Sequence, residues 1–335
     1  MCLVPRLIPN PRYQPNFKNG YTKQIPPSPE EGSVLIPCGR CVECRRRRAS
    51  DWRYRLLQEY KYGKDQRFTF VTLTFSDEAL SSLMMELSDD GREEFPDIHA
   101  VVRVAVRRFL ERYRREFGVS LRHWFVTELG ETTGRIHLHG IISDCKCGSW
   151  YRGKWKIDKH KFDSFWKYGY TWLGWCNEKT ISYICKYITK QSEHDLDYKS
   201  IILCSPGYGR AYIVHNWRWH LSDYKIENVK MFCVTSTGHK VAMPRYYRER
   251  IFPDDLRQDY VKYLRANPPP MVLDGIEYFD GYVFNIRKYN KYLSTISRKT
   301  SYICAKQFKS LLFNVNQFDT YGEFTGFLDK AGFCF

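Results

Sequence analysis

The sequence predicts an α+β fold with a central, largely antiparallel sheet flanked by helices. Residues 68–75 are β-branched or aromatic apart from Leu73, a composition typical of a strand. Residues 98–117 repeat apolar side chains at helical spacing, and the strand-like runs 122–129 and 136–142 are joined by a short glycine-containing connection. Strands joined by a short turn pair antiparallel, which favours α+β over a doubly wound parallel sheet.

The remaining elements are predicted from the same spacing rules. Residues 50–62 carry large apolar side chains at intervals of three and four, which indicates a helix. Asp97 can cap the helix at 98–117, and Gly118 can end it. Three further elements are predicted, namely a helix at 159–168, a short strand at 170–175 and a helix at 180–191.

The chain divides into three predicted segments. Residues 1–49 form an N-terminal arm with a cysteine cluster and a basic run, and the prolines of its first 37 residues exclude long regular elements. Residues 50–215 form the domain that holds the candidate site. Residues 216–335 form a basic and aromatic region with no assigned role, in which residues 267–270, Asn-Pro-Pro-Pro, indicate a linker or rigid turn.

Composition indicates a nucleic-acid partner. The formal net charge of +16 favours a polyanion, either nucleic acid or an anionic membrane surface. Aromatic side chains stand beside arginines, as in residues 52–55, and this mixture suits single-stranded nucleic acid because bases stack on aromatic rings. A well-packed basic protein is the alternative. We expect no membrane span, since no apolar run of about 18 residues occurs, and no secretion signal in residues 1–19.

Three side chains are candidate ligands of a catalytic metal ion. His137 and His139 lie two residues apart on a predicted strand, so both imidazoles point to one face. The turn brings Glu128 of the preceding strand beside them, and Glu131 is the competing carboxylate. Two imidazoles and one carboxylate leave positions for phosphate oxygens on Mg²⁺ or Mn²⁺, and imidazole favours Mn²⁺. Such a histidine pair also occurs as ordinary half-exposed residues.

Two tyrosines and a lysine are the candidate catalytic group. On a helix over 180–191, Tyr183, Tyr187 and Lys190 share one face, whereas three isoleucines share nearly the opposite face. A phenol is a poor nucleophile at neutral pH unless it is activated. A metal ion can supply that activation, and Lys190 can neutralise a phosphate or a phenolate. Taken alone this pattern is usually structural, and it becomes informative beside the carboxylate and the two histidines.

Clustered cysteines indicate a second, structural metal site. Cys38, Cys41 and Cys44 are candidate ligands of Zn²⁺, which prefers four thiolate or imidazole ligands. The fourth ligand can be Cys2 or a member of a second pair, at positions 145 and 147. An iron–sulfur cluster suits the same ligands, and free thiols are the alternative.

Four consecutive arginines follow the cysteine cluster. Arg45, Arg46, Arg47 and Arg48 are candidate contacts for DNA phosphates. A solvated surface is the alternative for this run.

Three motifs in this order resemble those of the HUH rolling-circle replication initiators. Residues 70–75, Phe-Val-Thr-Leu-Thr-Phe, resemble the first motif, a hydrophobic strand. Residues 135–140, Arg-Ile-His-Leu-His-Gly, resemble the metal motif, and residues 183–190 resemble the two-tyrosine form of the third. Residues 37–44, Pro-Cys-Gly-Arg-Cys-Val-Glu-Cys, add a likeness to the initiators of small single-stranded DNA phages, the microviruses and gokushoviruses.

The resemblance implies an HUH endonuclease domain and an origin-specific enzyme that nicks and rejoins single-stranded DNA. It implies a 5′-phosphotyrosine intermediate, a free 3′-OH for a polymerase, and separate roles for two tyrosines, whose order stays open. The E-x-G register of the family favours Glu128 over Glu131. Host helicase and polymerase are the expected partners, the host bacterial cytoplasm is the expected location, and no small-molecule substrate is expected.

Two other functions share part of this pattern. A non-catalytic single-strand-binding protein with a zinc knuckle explains the charge, the aromatic residues and the cysteines. It does not explain the carboxylate, the two same-face histidines and the tyrosines together. A relaxase or transposase of the same superfamily shares the metal site, but commonly uses one tyrosine and carries further domains.

Overall fold

The structure is a computed structural model, and it describes most of the chain up to residue 267. The described residues are 2, 5–27, 29–63, 67–89, 97–152, 154–190, 194–195, 198–221, 225–267, 272–273 and 276–277. Residue 191 of the predicted helix at 180–191 and residues 268–270 of the predicted linker lie outside them.

Two compact units make up the chain. The larger unit contains Arg48–Trp219 and Met231–Arg248, and the smaller one contains the described parts of Met1–Arg47, His220–Lys230 and Glu249–Phe335. The three-segment division drawn from the sequence stays a prediction.

Strands and helices alternate along the described chain. The strands are β1 (Arg6–Pro9), β2 (Ser33–Ile36), β3 (Phe68–Thr74), β4 (Arg122–Leu129), β5 (Ile136–Ser143), β6 (Gly148–Tyr151), β7 (Lys154–Ile157), β8 (Thr171–Trp175), β9 (Ile202–Cys204), β10 (Phe232–Val234), β11 (Lys240–Ala242), β12 (Val272–Leu273) and β13 (Ile276–Glu277). The helices are α1 (Val42–Tyr62), α2 (Asp77–Asp89), α3 (Ile98–Phe117), α4 (Lys159–Phe165), α5 (Glu178–Ile184), α6 (Lys186–Thr189), α7 (Ala211–His220), α8 (Arg245–Ile251) and α9 (Asp254–Ala266). Among the described helices, none combines the length and apolar character needed to cross a membrane.

A five-stranded sheet forms the centre of the larger unit. Its strand order is β8-β3-β5-β4-β9, and every neighbouring pair is antiparallel. The predicted fold class, α+β with an antiparallel sheet flanked by helices, is therefore confirmed.

The sheet has an apolar core on each face. Leu73, Phe125 and Leu138 point to one face and pack with buried residues of α2, α3 and α4. Trp124 and Ile141 point to the other face and pack with α1, α5 and α6. Each fully buried large apolar side chain contributes about 1.5–3 kcal/mol to folding, so both helical layers are held against the sheet mainly by this burial.

The ends of α3 follow the prediction in part. Gly118 adopts a left-handed conformation, φ 68°, and its N–H donates to the Arg114 carbonyl, which ends the helix as expected. Asp97 occupies the N-cap position, but its side chain makes no capping hydrogen bond. The predicted cap is therefore wrong in its chemistry, although the helix begins where expected.

Two other helices differ in length from the prediction. Helix α1 begins at Val42 rather than near residue 50, because the arginines and alanine that follow the cysteines are good helix formers. Helix α4 ends at Phe165 rather than at residue 168. The carbonyl of Phe165 accepts a hydrogen bond of 2.8 Å from the Arg112 side chain, which replaces a helical partner.

Gly140 in the central strand β5 tests how tightly the sheet is packed. A Cβ there would lie 2.3 Å from both the Phe125 ring and the Trp124 carbonyl oxygen. We expect Gly140→Ala to lower the free energy of unfolding by about 1–3 kcal/mol, the usual cost of overpacking. Urea unfolding followed by tryptophan fluorescence measures this change. The exposed β6 substitution Ser149→Ala serves as control, and equal midpoints for the two variants would contradict the prediction.

Candidate active site

The register of the β4–β5 hairpin brings the candidate ligands together. Glu128 pairs directly with His137, and Val126 pairs with His139, so the carboxylate and both imidazoles share one sheet face. His139 Nε2 lies 2.8 Å from Glu128 Oε2. The same-face arrangement predicted for these three residues is what the structure shows.

Each histidine has a hydrogen bond that constrains its ring. His137 Nδ1 lies 2.8 Å from the Arg135 carbonyl oxygen, which can only accept, so Nδ1 carries the proton and Nε2 the lone pair. His139 Nδ1 lies 3.1 Å from Thr72 Oγ1, on the neighbouring strand β3. Partners of this kind orient histidines that bind metal ions.

The charges of the site suit a cation. Burial raises the pKa of Glu128, but hydrogen bonds from His139 and Lys190 outweigh it and hold that pKa below its ordinary value. Burial lowers the pKa of His137, which keeps the imidazole neutral near pH 7. A carboxylate anion and a neutral imidazole are the forms that ligate divalent ions.

The ligand atoms are not yet as close as in a formed metal site. Among the described residues, the cysteines at 2, 38, 41 and 44 are the only group of three or more His, Cys, Asp or Glu side chains whose ligand atoms all lie within 4.8 Å of one another. Joint binding by Glu128, His137 and His139 therefore requires a side-chain adjustment. A turn of the His137 ring away from Arg135 is one such adjustment.

The tyrosine helix is broken at Cys185. Helix α5 ends at Ile184 and α6 begins at Lys186, in place of the single helix predicted over 180–191. The predicted apolar face is confirmed, since Ile181, Ile184 and Ile188 are at most 2% exposed. Their burial against the sheet orients the opposite side of α5 and α6 toward the histidines.

Both tyrosines lie at the candidate site. The ring of Tyr187 stacks on His139 at 4.1 Å between centroids, and its hydroxyl donates to the Tyr183 hydroxyl at 3.0 Å. Tyr183 is 51% exposed. Burial and the Tyr183 hydroxyl raise the pKa of Tyr187, so this phenol is neutral at pH 7.

Lys190 differs from its predicted position. It has an extended backbone after the last residue of α6, so it does not continue the helical face of the tyrosines. The break at Cys185 shifts the register that the i, i+4, i+7 spacing assumed. The Lys190 ammonium pairs with the Glu128 carboxylate and, at 2.8 Å, with that of Glu131.

Glu131 and Glu128 occupy different environments. Glu128 is 8% exposed on the sheet, whereas the Glu131 side chain is 79% exposed in the turn. This contrast favours Glu128 as the ligand, because only its carboxylate contacts His139 directly.

Sequence reasoning missed one residue of the site. Thr72 contacts His139 from β3, the strand read only as a hydrophobic motif. The available signal was the alternation Val-Thr-Leu-Thr in residues 71–74, which places two hydroxyls on one face of the strand.

The arginine run lies in the first half of α1. Arg46 and Arg47 are exposed, and Arg46 pairs with Glu43 at 3.0 Å. Arg48 donates to the Ser200 carbonyl at 2.8 Å, and burial lowers its pKa, so this arginine supports the fold before β9. Phosphate contacts by Arg45 and the other three remain a prediction.

The cysteines predicted as metal ligands also meet. Cys38, Cys41 and Cys44 form one group, and Cys2 is its fourth member. Cys145 and Cys147 form a pair with their sulfurs 3.0 Å apart. The choice of fourth ligand that the sequence left open therefore falls on Cys2 by proximity.

Comparisons with known proteins cover the region of this site. The sequence model of the replication-associated protein ORF2 family matches residues 68–192, which contain Glu128, both histidines, both tyrosines and Lys190. Replication-associated protein ORF2 of Spiroplasma virus 4 is 26% identical over 80% of this chain and 83% of its own length. No solved structure matches the chain.

Two further relatives have similar descriptions. Replication-associated protein ORF4 of Chlamydia phage 1 is 21% identical over 65% of this chain and 53% of its own length. Replication-associated protein VP4 of Bdellovibrio phage phiMH2K is 23% identical over 66% of this chain and 69% of its own length.

The hydrogen bond between Thr72 and His139 can be tested by an isosteric change. We expect Thr72→Val to lower the free energy of unfolding by about 0.5–1.5 kcal/mol, because His139 Nδ1 loses its partner. The Nδ1 resonance of His139 should shift in a nitrogen-detected NMR spectrum. Thr69→Val on the same strand is the matched control, and an unchanged His139 resonance in Thr72→Val would rule the contact out.

Proposed function

Because the chain belongs to the replication-associated proteins of small single-stranded DNA phages, we propose that it starts phage DNA replication by cutting and rejoining one strand at the origin. The proposed reaction is a metal-dependent transfer of a phosphodiester to tyrosine. It makes the chain an HUH-type endonuclease and strand transferase.

One observation supports this proposal above the others. The ring of Tyr187 stacks on His139 at 4.1 Å, and the hydroxyls of Tyr187 and Tyr183 are 3.0 Å apart. Two candidate nucleophiles therefore share one site with two imidazoles and a buried carboxylate. A protein that only binds single strands needs no such combination.

Glu128, His137 and His139 fit a divalent ion by donor chemistry. They offer one anionic oxygen and two imidazole nitrogens on one face of the sheet, a set suited to Mn²⁺ or Mg²⁺. When bound, such an ion supplies Lewis-acid polarisation of the scissile phosphate and stabilises charge on the leaving oxygen. Thr72 and the Arg135 carbonyl hold the two rings in orientation for this role.

Tyr183 is the better candidate for the first attack. Its ring is half exposed and can reach a DNA strand, whereas Tyr187 is packed on His139. The Tyr187 hydroxyl donates to the Tyr183 oxygen, and this hydrogen bond stabilises negative charge that develops there. Tyr187 is then positioned for a second attack in the same site.

The proposed step conserves the energy of the phosphodiester. The tyrosine oxygen forms a bond to phosphorus, the bond from phosphorus to the 3′ oxygen breaks, and the phenolic proton balances the 3′-OH that leaves. The DNA 5′ phosphate stays on tyrosine. Attack by a 3′-OH reverses the exchange, so rejoining needs no nucleotide cofactor.

Lys190 can change partners during this reaction. It pairs with both Glu128 and Glu131, so it can leave Glu128 and keep one carboxylate partner. In that position its ammonium group is available to a DNA phosphate beside Tyr187, whose ring is 5.9 Å from Lys190 Nζ.

Exposed aromatic side chains suit a single-stranded substrate. Trp172 on β8 is 47% exposed and pairs with Thr72, so it shares the sheet face of the histidines. Tyr170 and Trp175 of the same edge are 62% and 67% exposed. Bases can stack on such rings while basic side chains contact phosphates. The setting that we propose is the host bacterial cytoplasm, with helicase and polymerase supplied by the host.

The tyrosine assignment predicts a covalent adduct. Labelled single-stranded DNA spanning the phage origin, incubated with the protein and Mn²⁺, should give a protein–DNA band that resists denaturation and disappears with EDTA. We expect Tyr183→Phe to reduce the band strongly, Tyr187→Phe to reduce it less, and the double variant to abolish it.

The exposed β6 substitution Tyr151→Phe is the matched control for the adduct assay. An adduct that survives in the double variant would refute the assignment. DNA binding without any adduct by the wild-type protein would favour a binding module instead.

The ligand assignment predicts different effects of two glutamates. Glu128→Gln should lower the affinity for Mn²⁺, measured by electron paramagnetic resonance, by at least about tenfold, since loss of even an indirect partner of a metal site has that effect. Glu131→Gln removes an exposed carboxylate that also pairs with Lys190 and should change the affinity little. Equal losses in the two variants would show that the turn, not the sheet, holds the ion.

A further inference from the structure

Four cysteine sulfurs of the smaller unit form a closed group. Ligand atoms of Cys2, Cys38, Cys41 and Cys44 all lie within 4.8 Å of one another. The distance from Cys2 Sγ to Cys41 Sγ is 3.9 Å, and from Cys38 Sγ to Cys44 Sγ it is 4.0 Å. A tetrahedral zinc ion with Zn–S bonds of about 2.3 Å places its sulfurs about 3.8 Å apart, so the group already has nearly the size of a zinc tetrathiolate.

Backbone amides point at the sulfurs of this group. The N–H of Cys38 donates to Cys2 Sγ at 3.2 Å, and the N–H groups of Arg40 and Cys41 donate to Cys38 Sγ at 3.4 and 3.3 Å. The N–H of Cys44 donates to Cys41 Sγ at 3.5 Å. Donors of this kind stabilise thiolates, which are the form that binds metal ions.

The local fold explains why these cysteines meet. Strand β1 pairs with β2 so that Arg6 faces Ile36, and Cys2 and Cys38 therefore lie beyond the same end of this hairpin. Gly39 has φ 71°, a left-handed conformation that turns the chain after Cys38 toward the start of α1. Cys41 precedes α1 and Cys44 lies in its first turn, so three elements contribute to one site.

We propose that Cys2, Cys38, Cys41 and Cys44 bind one structural zinc ion, with Cys2 as the ligand that closes the site. Four protein ligands leave no open position, which marks a structural rather than a catalytic zinc. Cys2 and Cys41 are buried, at 7% and 0% exposure, as befits a closed site. The spacing of the four sulfurs favours a single ion over a larger iron–sulfur cluster.

Zinc at this position would connect the β1–β2 hairpin to the beginning of α1. The arginines at 45, 46 and 47 follow within the next turn of the same helix. Fixing the first turn of α1 therefore fixes the start of the basic run. This site is independent of the proposed cleavage reaction, because none of its ligands belongs to the candidate active site.

Metal content of the purified full chain is the first test. Elemental analysis should find about one zinc per chain in the wild-type protein and a strong loss in Cys2→Ser. The matched controls are Cys145→Ser and Cys147→Ser, which alter the pair that sequence alone offered as the other source of a fourth ligand. Both controls should retain zinc. Iron in place of zinc, no metal in the wild type, or full zinc in Cys2→Ser would overturn the proposal.

A spectroscopic test covers the case in which Cys2→Ser fails to fold. The wild-type protein loaded with Co²⁺ should show the absorption of a tetrahedral site with four thiolates. Cys2→His keeps four ligands and should shift the spectrum to that of three thiolates and one imidazole. A wild-type spectrum without tetrahedral thiolate bands, or an unchanged spectrum in Cys2→His, would refute the site. Neither readout depends on DNA cleavage, so a failure here is distinct from failure of the proposed function.

Discussion

The antiparallel register between β4 and β5 is the constraint on which the candidate site depends. It places Glu128 directly opposite His137 and puts His139 one pair further along the same face. A shift of one residue would turn the histidines into the core around Leu138 and would expose the core residues to solvent. The buried side chains on both faces of the sheet therefore hold the register, and the register in turn holds the ligands.

The second constraint is the way α5 and α6 lie on this sheet. Their isoleucines are buried against Trp124 and Ile141, which fixes the orientation of the opposite side of the helices. Tyr187 is thereby stacked on His139, and Tyr183 is left half exposed beside it. The same apolar contact that stabilises the layer thus separates the two phenols into a packed one and an accessible one.

Charge is distributed around the site in a way that suits an exchangeable cation. Lys190 neutralises Glu128 and Glu131 together, so the buried carboxylate has a cationic partner in the structure as it stands. An unpaired buried carboxylate would be costly. A partner at the end of a flexible side chain, with a second carboxylate nearby, stabilises the fold and can also leave when the carboxylate has another cation to bind.

The sequence by itself determined those features that depend on neighbours along the chain. Alternation along residues 136–142 placed both histidines on one face, the short turn placed Glu128 beside them, and the helical spacing separated the tyrosines from the isoleucines. The tertiary structure decided the rest: the break at Cys185, the pairing of Lys190 with two glutamates, the contact of Thr72 with His139, and Cys2 as the fourth cysteine. Each of the last three joins residues far apart in sequence, and local periodicity carries no information about such contacts. The helix break has a related cause, since packing against the sheet can outweigh the weak local preference for one continuous helix.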